Sequence, residues 1–485
     1  MNSVALRVES VCEKLIIMGL LLIVSELFII SCFLWTTCFA FPSRNDLHRF
    51  MDSEELTFYF GRDHSLPEYE IVNLPENLYS GRESVVTEDG EDTIEKVVSF
   101  DVFHKSINLV LYPNRGLLSP FAKIVKKSKN KEQILSEHEQ PNFCHYLHLN
   151  EDMTAAISNC IPKEVNGIIF MNDITLEILP LTTRLKLLLT LKGWSLLDDE
   201  NKSEFDIPKV PHLIKKAVME VGNFENDYLW ESVGKKKTLQ MYNEFQNNVT
   251  YEQQEGRNNE NRALRFDQPV VELALFFDEP FYNIFGSFFE HDSVKLKNMV
   301  LSYVNGVQAL YHHSSLGRKI EFTIVYLEIM ETQSEDMPHA FGERNALLDS
   351  FCAYQKKLNP GDDRDPKHWD MSVYISGLDF FAWDSNGIKS GVTMGLATVG
   401  GVCLSDYNCV IAEFGTVNSF GKPYPSAGFT SVYILAHEIG HNLGMSHDAT
   451  GNSCSKDGFV MSPSRGTQGE TTWSSCSANI VKRLE

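Results

Sequence analysis

The pattern of hydrophobic and polar positions divides the chain into an apolar start, a mixed first half and an alternating second half. Residues 15–41 are almost wholly apolar. Val270–Phe277 is an apolar run of strand length with one charged residue, Glu272, whereas residues 294–311 repeat apolar side chains at helical spacing. The pattern predicts further strands at 319–329, 371–375 and 393–399, and further helices at 341–358 and 431–443. Strands that alternate with helices predict an α/β fold with a largely parallel sheet.

The apolar start has the features of a secretory signal. Arg7 and Lys14 precede the run, and small residues flank a cut after Ala40. We therefore expect residues 1–40 to be a signal peptide and the protein to be secreted. The alternative is a signal anchor, because the run is long enough to span a bilayer, and the protein would then be a type II membrane-anchored protein. Both alternatives place the rest of the chain in an oxidising compartment, where disulfides persist.

The first half has a weaker pattern and ends in a polar stretch. Residues 100–111 alternate well enough for one or two strands. Residues 121–140 are rich in Lys and Glu, so we expect them to be solvated. Residues 235–265 are polar, with little apolar periodicity, and indicate a linker. We place a domain boundary there, which gives an N-terminal half, residues 41–265, and a C-terminal half, residues 266–485.

The charge of the chain narrows the choice of partners. The sequence has 43 Lys and Arg residues against 65 Asp and Glu residues, a net charge of −22. Binding to a nucleic-acid backbone needs a basic face, so we expect no nucleic-acid partner. The same acidic balance disfavours docking on anionic lipid, and no stable membrane partner is expected if the signal is cleaved.

The predicted helix at 431–443 carries the candidate chemistry. His437 and His441 are four residues apart, so both imidazoles project from one helical face. Glu438 lies beside them, where it can act as a general base. Gly444 can end the helix in a conformation that is costly for other residues, which would bring in His447 as a third ligand. Three protein ligands with one open position are typical of catalytic zinc, so the sequence predicts one catalytic Zn²⁺.

The segment 437–448, HEIGHNLGMSHD, resembles the zinc signature of the metzincins, HExxHxxGxxHD. Met461, fourteen residues beyond His447, resembles the methionine of the metzincin Met-turn, and Asp448 resembles the adamalysin, or reprolysin, branch. Further stretches are similar to the catalytic domain of the ADAMTS family: FCAYQ at 351–355, HWD at 368–370, GLA at 395–397 and WSSCS at 473–477. Cys144-His145-Tyr146 and residues 155–160 more loosely resemble the prodomain of that group.

The resemblance implies a fold and an activity. The fold is a metzincin catalytic domain, a mixed and largely parallel sheet with an active-site helix, preceded by a β-rich prodomain. The activity is that of a zymogen of a zinc-dependent endopeptidase, which would bind extended peptide segments of extracellular proteins along the strand at 393–399. Arg262 and Arg265 fit the minimal cleavage pattern of a proprotein convertase. The alternative function is a catalytically weak secreted or membrane-anchored binding or decoy module. The intact histidines and Glu438 argue against it.

The cysteines allow a pairing scheme by resemblance. Cys144 and Cys160 look like a disulfide pair, and the family pattern pairs Cys352 with Cys409 and Cys454 with Cys476. Cys403 is then left unpaired, and an odd cysteine in a secreted chain needs an explanation. We expect the sequence to stop short of the natural end of the catalytic domain. A cysteine switch is not expected, because no cysteine lies between Cys160 and Cys352.

Two further kinds of site are expected. Glu272 and Asp370 match two ligand positions of a structural Ca²⁺ in relatives, and carboxylate oxygens suit calcium. The alternative for these two carboxylates is a surface or capping role. Asn201 and Asn248 each begin a glycosylation sequon in the N-terminal half.

Overall fold

The computed structural model describes most of both halves of the chain. The described residues are 46–60, 66–75, 83–86, 92–129, 131–137, 144–172, 174–191, 209–217, 222–223, 268–383, 386–391, 394–414, 431–465 and 471–483. The predicted signal, the linker, both sequons and the cleavage pattern at Arg262 and Arg265 lie outside these residues. Within these ranges, no helix combines the length and the apolar character that a membrane crossing requires.

A nine-stranded antiparallel sheet dominates the N-terminal half. Its strand order is β1-β11-β10-β9-β8-β7-β4-β3-β2. The strands are β1 (Tyr69–Pro75), β2 (Glu83–Val86), β3 (Asp92–Val102), β4 (Lys105–Pro113), β7 (His145–Leu149), β8 (Met153–Ser158), β9 (Asn166–Met171), β10 (Thr175–Pro180) and β11 (Lys209–Lys216). Two helices accompany them, α1 (Ser53–Phe60) and α2 (Thr183–Leu191). The prediction of a β-rich first half is confirmed, and residues 100–111 belong to two strands.

A seven-stranded mixed sheet forms the centre of the C-terminal half, in the order β18-β19-β15-β13-β14-β5-β6. Five neighbouring strands run parallel, and the strands at both edges run antiparallel to them. The strands are β5 (Leu118–Ser128), β6 (Lys131–Glu137), β13 (Val270–Phe277), β14 (Glu321–Met330), β15 (Met371–Ser376), β18 (Gly395–Ala397) and β19 (Cys409–Glu413). The predicted α/β fold with a largely parallel sheet is confirmed.

The prediction that residues 121–140 are solvated is wrong for strand β5, where Ala122, Ile124 and Val125 are buried, whereas residues 131–134 of strand β6 are exposed as predicted. Both strands come from the N-terminal half and join the sheet of the C-terminal half. Ile124 and Val125 are wholly buried, because strand β5 lies between β14 and β6 and both of its faces are covered. Lysines flank these two apolar positions and form ion pairs, Lys123 with Glu132, Lys126 with Glu331 and Lys127 with Glu328.

Helices cover both faces of the seven-stranded sheet. They are α3 (Glu279–Phe288), α4 (Ser293–Tyr311), α5 (Arg344–Leu358) and α6 (Val432–Asn442). A further helix, α7 (Ser475–Val481), packs against residues 314–316. Alternate residues of β13 divide between two apolar clusters, Leu275 on the side of α4 and α6 and Phe276 on the side of α5. Helix α5 begins later than predicted, because Phe341 has a φ of 53° and Glu343 caps the helix.

Short pairings complete the fold. Strand β12 (Gly222–Asn223) pairs antiparallel with β20 (Ser464–Arg465), and β16 (Ala382–Trp383) pairs antiparallel with β17 (Lys389–Ser390). Three disulfides link Cys144 to Cys160, Cys352 to Cys409 and Cys454 to Cys476, which are the pairs that the resemblance implies. Among the described residues Cys403 is exposed and forms no disulfide.

The two halves share an extensive interface. Helix α4 packs against strands β7, β8 and β9 of the nine-stranded sheet. Asn305 on this helix donates to the carbonyl oxygen of Tyr146 at 3.0 Å. At Gly306 a methyl group would lie 3.0 Å from Val432 on α6 and 3.3 Å from Ile168 on β9, so the three elements meet at a residue without a side chain. The active-site helix predicted from the sequence therefore begins against the N-terminal half.

Candidate metal centre

Three imidazoles converge at the end of helix α6. His437 and His441 lie one turn apart on this helix, and His447 follows it. The Nε2 atom of His447 is 2.9 Å from the Nε2 atom of His437 and 3.1 Å from that of His441. All three side chains are buried. The structure thus brings together the three histidines that the sequence singles out.

Gly444 makes this convergence possible. Its φ is +100°, a backbone conformation that costs other residues free energy. Its N–H group donates to the carbonyl oxygen of His441 at 2.8 Å, and the N–H group of Met445 donates to that of Gly440 at 2.9 Å. These two bonds end the helix as a left-handed cap. The chain then reverses and returns His447 toward the helix.

The two helical histidines present their Nε2 atoms as acceptors. Nδ1 of His437 lies 2.7 Å from the carbonyl oxygen of Val460, and Nδ1 of His441 lies 2.8 Å from that of Met445. Because a carbonyl only accepts, each Nδ1 carries the proton and each Nε2 directs its lone pair inward. Burial lowers the pKa of His441 to about 4. Burial, followed by the proximity of His441, lowers the pKa of His447 to about 2.

This arrangement fits a divalent metal ion. Neutral imidazole nitrogens are metal ligands, and a hydrogen bond from the other ring nitrogen to a carbonyl is the usual support of such a ligand. Converging lone pairs would repel one another without a cation between them. The three described side chains form the only all-histidine group among the candidate metal clusters of the described residues.

Glu438 contacts Gly395, a residue to which the sequence assigns no role in the site. Its side chain is buried and lies against Gly395 on edge strand β18, where a Cβ atom would come within 2.5 Å of Glu438 Cγ and 2.7 Å of Oε1. The strand predicted at 393–399 thus passes directly over the active-site helix. Gly395 belongs to a motif quoted for the family resemblance. Nothing in its local pattern indicates the contact with Glu438.

Met461 lies beneath the histidines. It is fully buried, and its Sδ atom is 2.7 Å from the position that a Cβ atom would take at Gly440. Its carbonyl oxygen accepts from the N–H group of Asp448 at 2.9 Å. The carboxylate of Asp448 in turn accepts from the hydroxyl of Ser474 at 2.5 Å. Burial raises the pKa of Asp448, and this hydrogen bond partly opposes the shift. Asp448, the residue after His447, is therefore held by hydrogen bonds to both Met461 and Ser474.

A second cluster contains the two carboxylates expected to bind calcium. Glu272, Asp370 and His368 each place a potential ligand atom within 4.8 Å of the others. The N–H group of Glu272 donates to the Asp370 carboxylate at 2.9 Å, so this carboxylate already accepts a main-chain hydrogen bond. Burial, followed by the proximity of Asp370, raises the pKa of Glu272. His368 was not predicted as a member.

Comparison with known proteins defines the class of the C-terminal half. Residues 267–474 match the family model Reprolysin_5, described as metallo-peptidase family M12. These residues are a metalloendopeptidase domain of the adamalysin type with the α/β metzincin fold. Within that class the domain is ADAMTS-like.

The similar proteins differ in how much of the chain they cover. A disintegrin and metalloproteinase with thrombospondin motifs adt-1 of Caenorhabditis elegans is 26% identical over 472 residues, covering 93% of this chain and 29% of the relative. A disintegrin and metalloproteinase with thrombospondin motifs 7 of Rattus norvegicus is 32% identical over 204 residues, covering 40% of this chain and 12% of the relative. The chain thus spans less than a third of these curated relatives. The crystal structure of metalloproteinase-II from Bacteroides fragilis superposes with a TM-score of 0.38 at 14% identity, covering 81% of this chain and 92% of that one.

Proposed function

We propose that the chain is a secreted zinc endopeptidase, made as a zymogen, that hydrolyses peptide bonds of extracellular proteins. The observation that carries this proposal is the convergence of three buried imidazoles beside the buried carboxylate of Glu438. His437, His441 and His447 are the proposed zinc ligands. The metallopeptidase class of residues 267–474 supports a hydrolytic rather than a structural metal.

The proposed mechanism assigns separate tasks to the residues. A zinc ion held by the three histidines would supply a Lewis acid and a water of lowered pKa. Glu438 accepts the proton of the attacking water and delivers it to the amine nitrogen of the leaving group. Gly395 leaves room for the Glu438 side chain beneath strand β18. An extended peptide would add to β18, the last strand of the described sheet, through main-chain hydrogen bonds.

The zymogen part of the proposal has support from strand β12. This piece of the N-terminal half pairs antiparallel with β20, which begins three residues after Met461. A segment of the N-terminal half therefore lies beside the chain that passes under the proposed zinc ligands. Inhibition by this segment would need no cysteine, and both Cys144 and Cys160 are already in a disulfide. Activation by a proprotein convertase at Arg262 and Arg265 would separate the halves covalently.

The proposal also includes secretion, two domains, glycosylation and a calcium site. Residues 1–40 would direct secretion, residues 41–265 would be the prodomain and residues 266–485 the catalytic domain. Asn201 and Asn248 would carry glycans. Glu272 and Asp370 would contribute to a calcium site, in which the imidazole of His368 is an unusual neighbour, because calcium prefers oxygen ligands.

The test is peptide cleavage by the convertase-treated protein, with and without a chelator. Wild-type protein should contain one zinc ion per chain and cleave extended peptides in a chelator-sensitive manner. Glu438→Gln should retain the zinc and lose at least about 100-fold in kcat, the typical contribution of a general base. Glu335→Gln, at an exposed glutamate, is the matched control and should cleave as wild type does. A metal-loaded wild-type protein without turnover would instead support the binding or decoy function.

Inhibition by β12 has a separate test. Replacing both Gly222 and Asn223 by proline removes two backbone donors from the pairing with β20. The uncut variant should then cleave peptides faster than the uncut wild type. The same replacements combined with Glu438→Gln should remain inactive, which excludes a contaminating protease. Equal activity of the uncut wild type and the proline variant would contradict inhibition through β12.

A further inference from the structure

Strand β5 makes the N-terminal half a structural part of the catalytic sheet. It pairs parallel with β14 in a register that sets Leu327 opposite Ile124 and Met330 opposite Lys127. The N–H group of Glu331 donates to the carbonyl oxygen of Lys127 at 2.8 Å. Without β5, strand β14 would be an edge strand with unpaired backbone groups along an apolar core.

Lys127 enters a site that is built around a buried carboxylate. Glu328 is wholly buried, and it accepts from the hydroxyl groups of Tyr326 at 2.7 Å and Tyr354 at 2.8 Å. The Nζ atom of Lys127 lies 2.7 Å from Glu328 Oε2 and also 2.7 Å from the hydroxyl oxygen of Tyr354. The lysine side chain is 22% exposed, so its ammonium group reaches the carboxylate from the margin of the core. This is the one cation that the described structure places on Glu328.

Removing Lys127 would leave an uncompensated charge in the catalytic domain. The two tyrosine hydroxyls can donate to Glu328, but they carry no positive charge. Breaking a buried ion pair by withdrawing one partner is strongly unfavourable, whereas replacing both partners by neutral groups is often harmless. The Glu328 site therefore favours a neighbouring strand that carries a cation at the position of Lys127 over a strand that carries none there.

Additional contacts widen the interface. On the opposite face of β5, the Nζ atom of Lys126 lies 3.4 Å from the Glu331 carboxylate and 3.4 Å from the hydroxyl oxygen of Tyr282. Where strand β10 meets helix α6, the hydroxyls of Thr175 and Tyr433 lie 2.6 Å apart. Two separate regions of the C-terminal half thus bury groups against the N-terminal half.

We propose that the N-terminal half remains bound after the chain between the halves is cut, docked on the edge of β14 with Lys127 in the Glu328 site. The partner of this surface is the segment 118–137 of the same protein, then carried on a separate polypeptide. Cutting the chain and releasing the prodomain are accordingly two different events. The proposed processing at Arg265 supplies the biological setting, while the interface itself does not depend on which peptide bond is cut.

The test uses the full chain carrying Glu438→Gln, which limits self-digestion. It is cut by a convertase of the furin type, or by a site-specific protease whose recognition sequence replaces residues 258–265. The two fragments should elute together in gel filtration under native conditions at micromolar concentration and separate only in denaturant. Separation as soon as the chain is cut would overturn the proposal. A convertase that fails to cut refutes only the processing site, because the inserted site still tests the interface.

Variants test the role of Lys127. Lys127→Met should accelerate dissociation of the cut fragments on the order of 100-fold, a typical effect of leaving a buried charge without its partner. Lys123→Met is the matched control, because Lys123 pairs with Glu132 within the same hairpin at a partly exposed site 2.6 Å away. Its effect should stay within about 3-fold.

A double variant separates charge from general damage to the fold. Lys127→Met combined with Glu328→Gln leaves no buried charge and should recover most of the slow dissociation. The measurement is the exchange of a fluorescently labelled N-terminal fragment against an unlabelled excess. Equal rates for Lys127→Met and Lys123→Met, or no recovery in the double variant, would overturn the assignment of Lys127 as the contact that holds the cut halves together.

Discussion

Gly395 and Glu438 are in direct contact across the active site, and only a residue without a Cβ atom can occupy position 395. A Cβ atom there would lie 2.5 Å from Glu438 Cγ and 2.7 Å from Cδ. The edge strand that is proposed to bind the substrate therefore also fixes the position of the proposed general base. In the proposed mechanism, one glycine thus couples substrate binding to proton transfer.

Gly395→Ala should displace Glu438 without removing the metal. Because a misplaced base loses much of its effect, we expect kcat to fall about 10- to 100-fold, while the zinc content stays at one ion per chain. Gly361→Ala is the matched control, since position 361 has open space around it. Steady-state kinetics and metal analysis check the prediction. An unchanged kcat in Gly395→Ala would contradict the role of this contact.

Metal removal should destabilise the C-terminal half. The Nε2 atoms of His437 and His441 lie 2.9 and 3.1 Å from that of His447, an arrangement that the unfolded state lacks, so we expect the cation to bind the folded state. Zinc at 100 times its Kd would add about 2.7 kcal/mol of stability. Chelation should therefore lower Tm and added zinc should restore it, as followed by calorimetry. In His447→Ala the zinc-dependent part of this shift should be largely lost. A shift of wild-type size in that variant would place the metal elsewhere.

The disulfide between Cys454 and Cys476 should affect the metal centre as well as stability. It closes a separation of 22 residues in the segment that follows His447, whereas Cys352–Cys409 closes 57 residues away from the histidines. Loop-closure entropy predicts losses of about 3 and about 4 kcal/mol, respectively, when each pair is replaced by serine. Only the Cys454→Ser/Cys476→Ser protein should also bind zinc more weakly. Urea unfolding and zinc titration distinguish the two variants, and equal zinc affinities would contradict this prediction.

Asp278 should make the stability of the protein depend on pH. It caps α3 through the N–H group of Phe281 at 2.7 Å and also accepts from the N–H group of Gly377 at 3.0 Å and from Ser376. Burial raises its pKa from 3.8 to about 6, against the opposing effect of these hydrogen bonds. The folded state therefore binds the proton more tightly than the unfolded state. Its contribution to stability is complete below pH 3.8 and is lost as the pH rises through 6.

The size of this contribution can be measured against a neutral variant. A shift of about two pKa units corresponds to a loss on the order of 3 kcal/mol between pH 4 and pH 7. In Asp278→Asn this pH-dependent part should be absent, and we expect the variant to start from a lower stability because the amide offers one acceptor atom. Denaturant unfolding of both proteins across this range provides the comparison. Parallel pH profiles would show that Asp278 does not titrate in this range.

The sequence predicts the histidine cluster well because its geometry is local. A spacing of four residues on a helix and a glycine at its end determine where His437, His441 and His447 can meet. The sequence predicts strands β13 and β15 equally well, because a strand that is covered on both faces is apolar at most of its positions. Each of these inferences depends on residues that are neighbours in the chain.

The contacts that escaped prediction are those between distant residues. Nothing near Gly395 reveals that Glu438 lies beneath it. Residues 121–140 have the composition of a solvated segment, yet strand β5 pairs with β14, and Lys127 pairs with Glu328, which follows about 200 residues later in the chain. Local hydropathy cannot identify a charged strand whose neutralising partner is so remote.

The parallel pairing of β5 with β14 also has a consequence for biosynthesis. Strand β5 leaves the ribosome well before β14, and at about 5–20 residues per second the intervening chain takes roughly 10–40 s to synthesise. During that interval the hairpin of β5 and β6 has no sheet to join, and its apolar positions Ile124 and Val125 must be shielded by other means. We expect chaperones of the secretory pathway to bind the nascent chain in this window, and expression to depend on them.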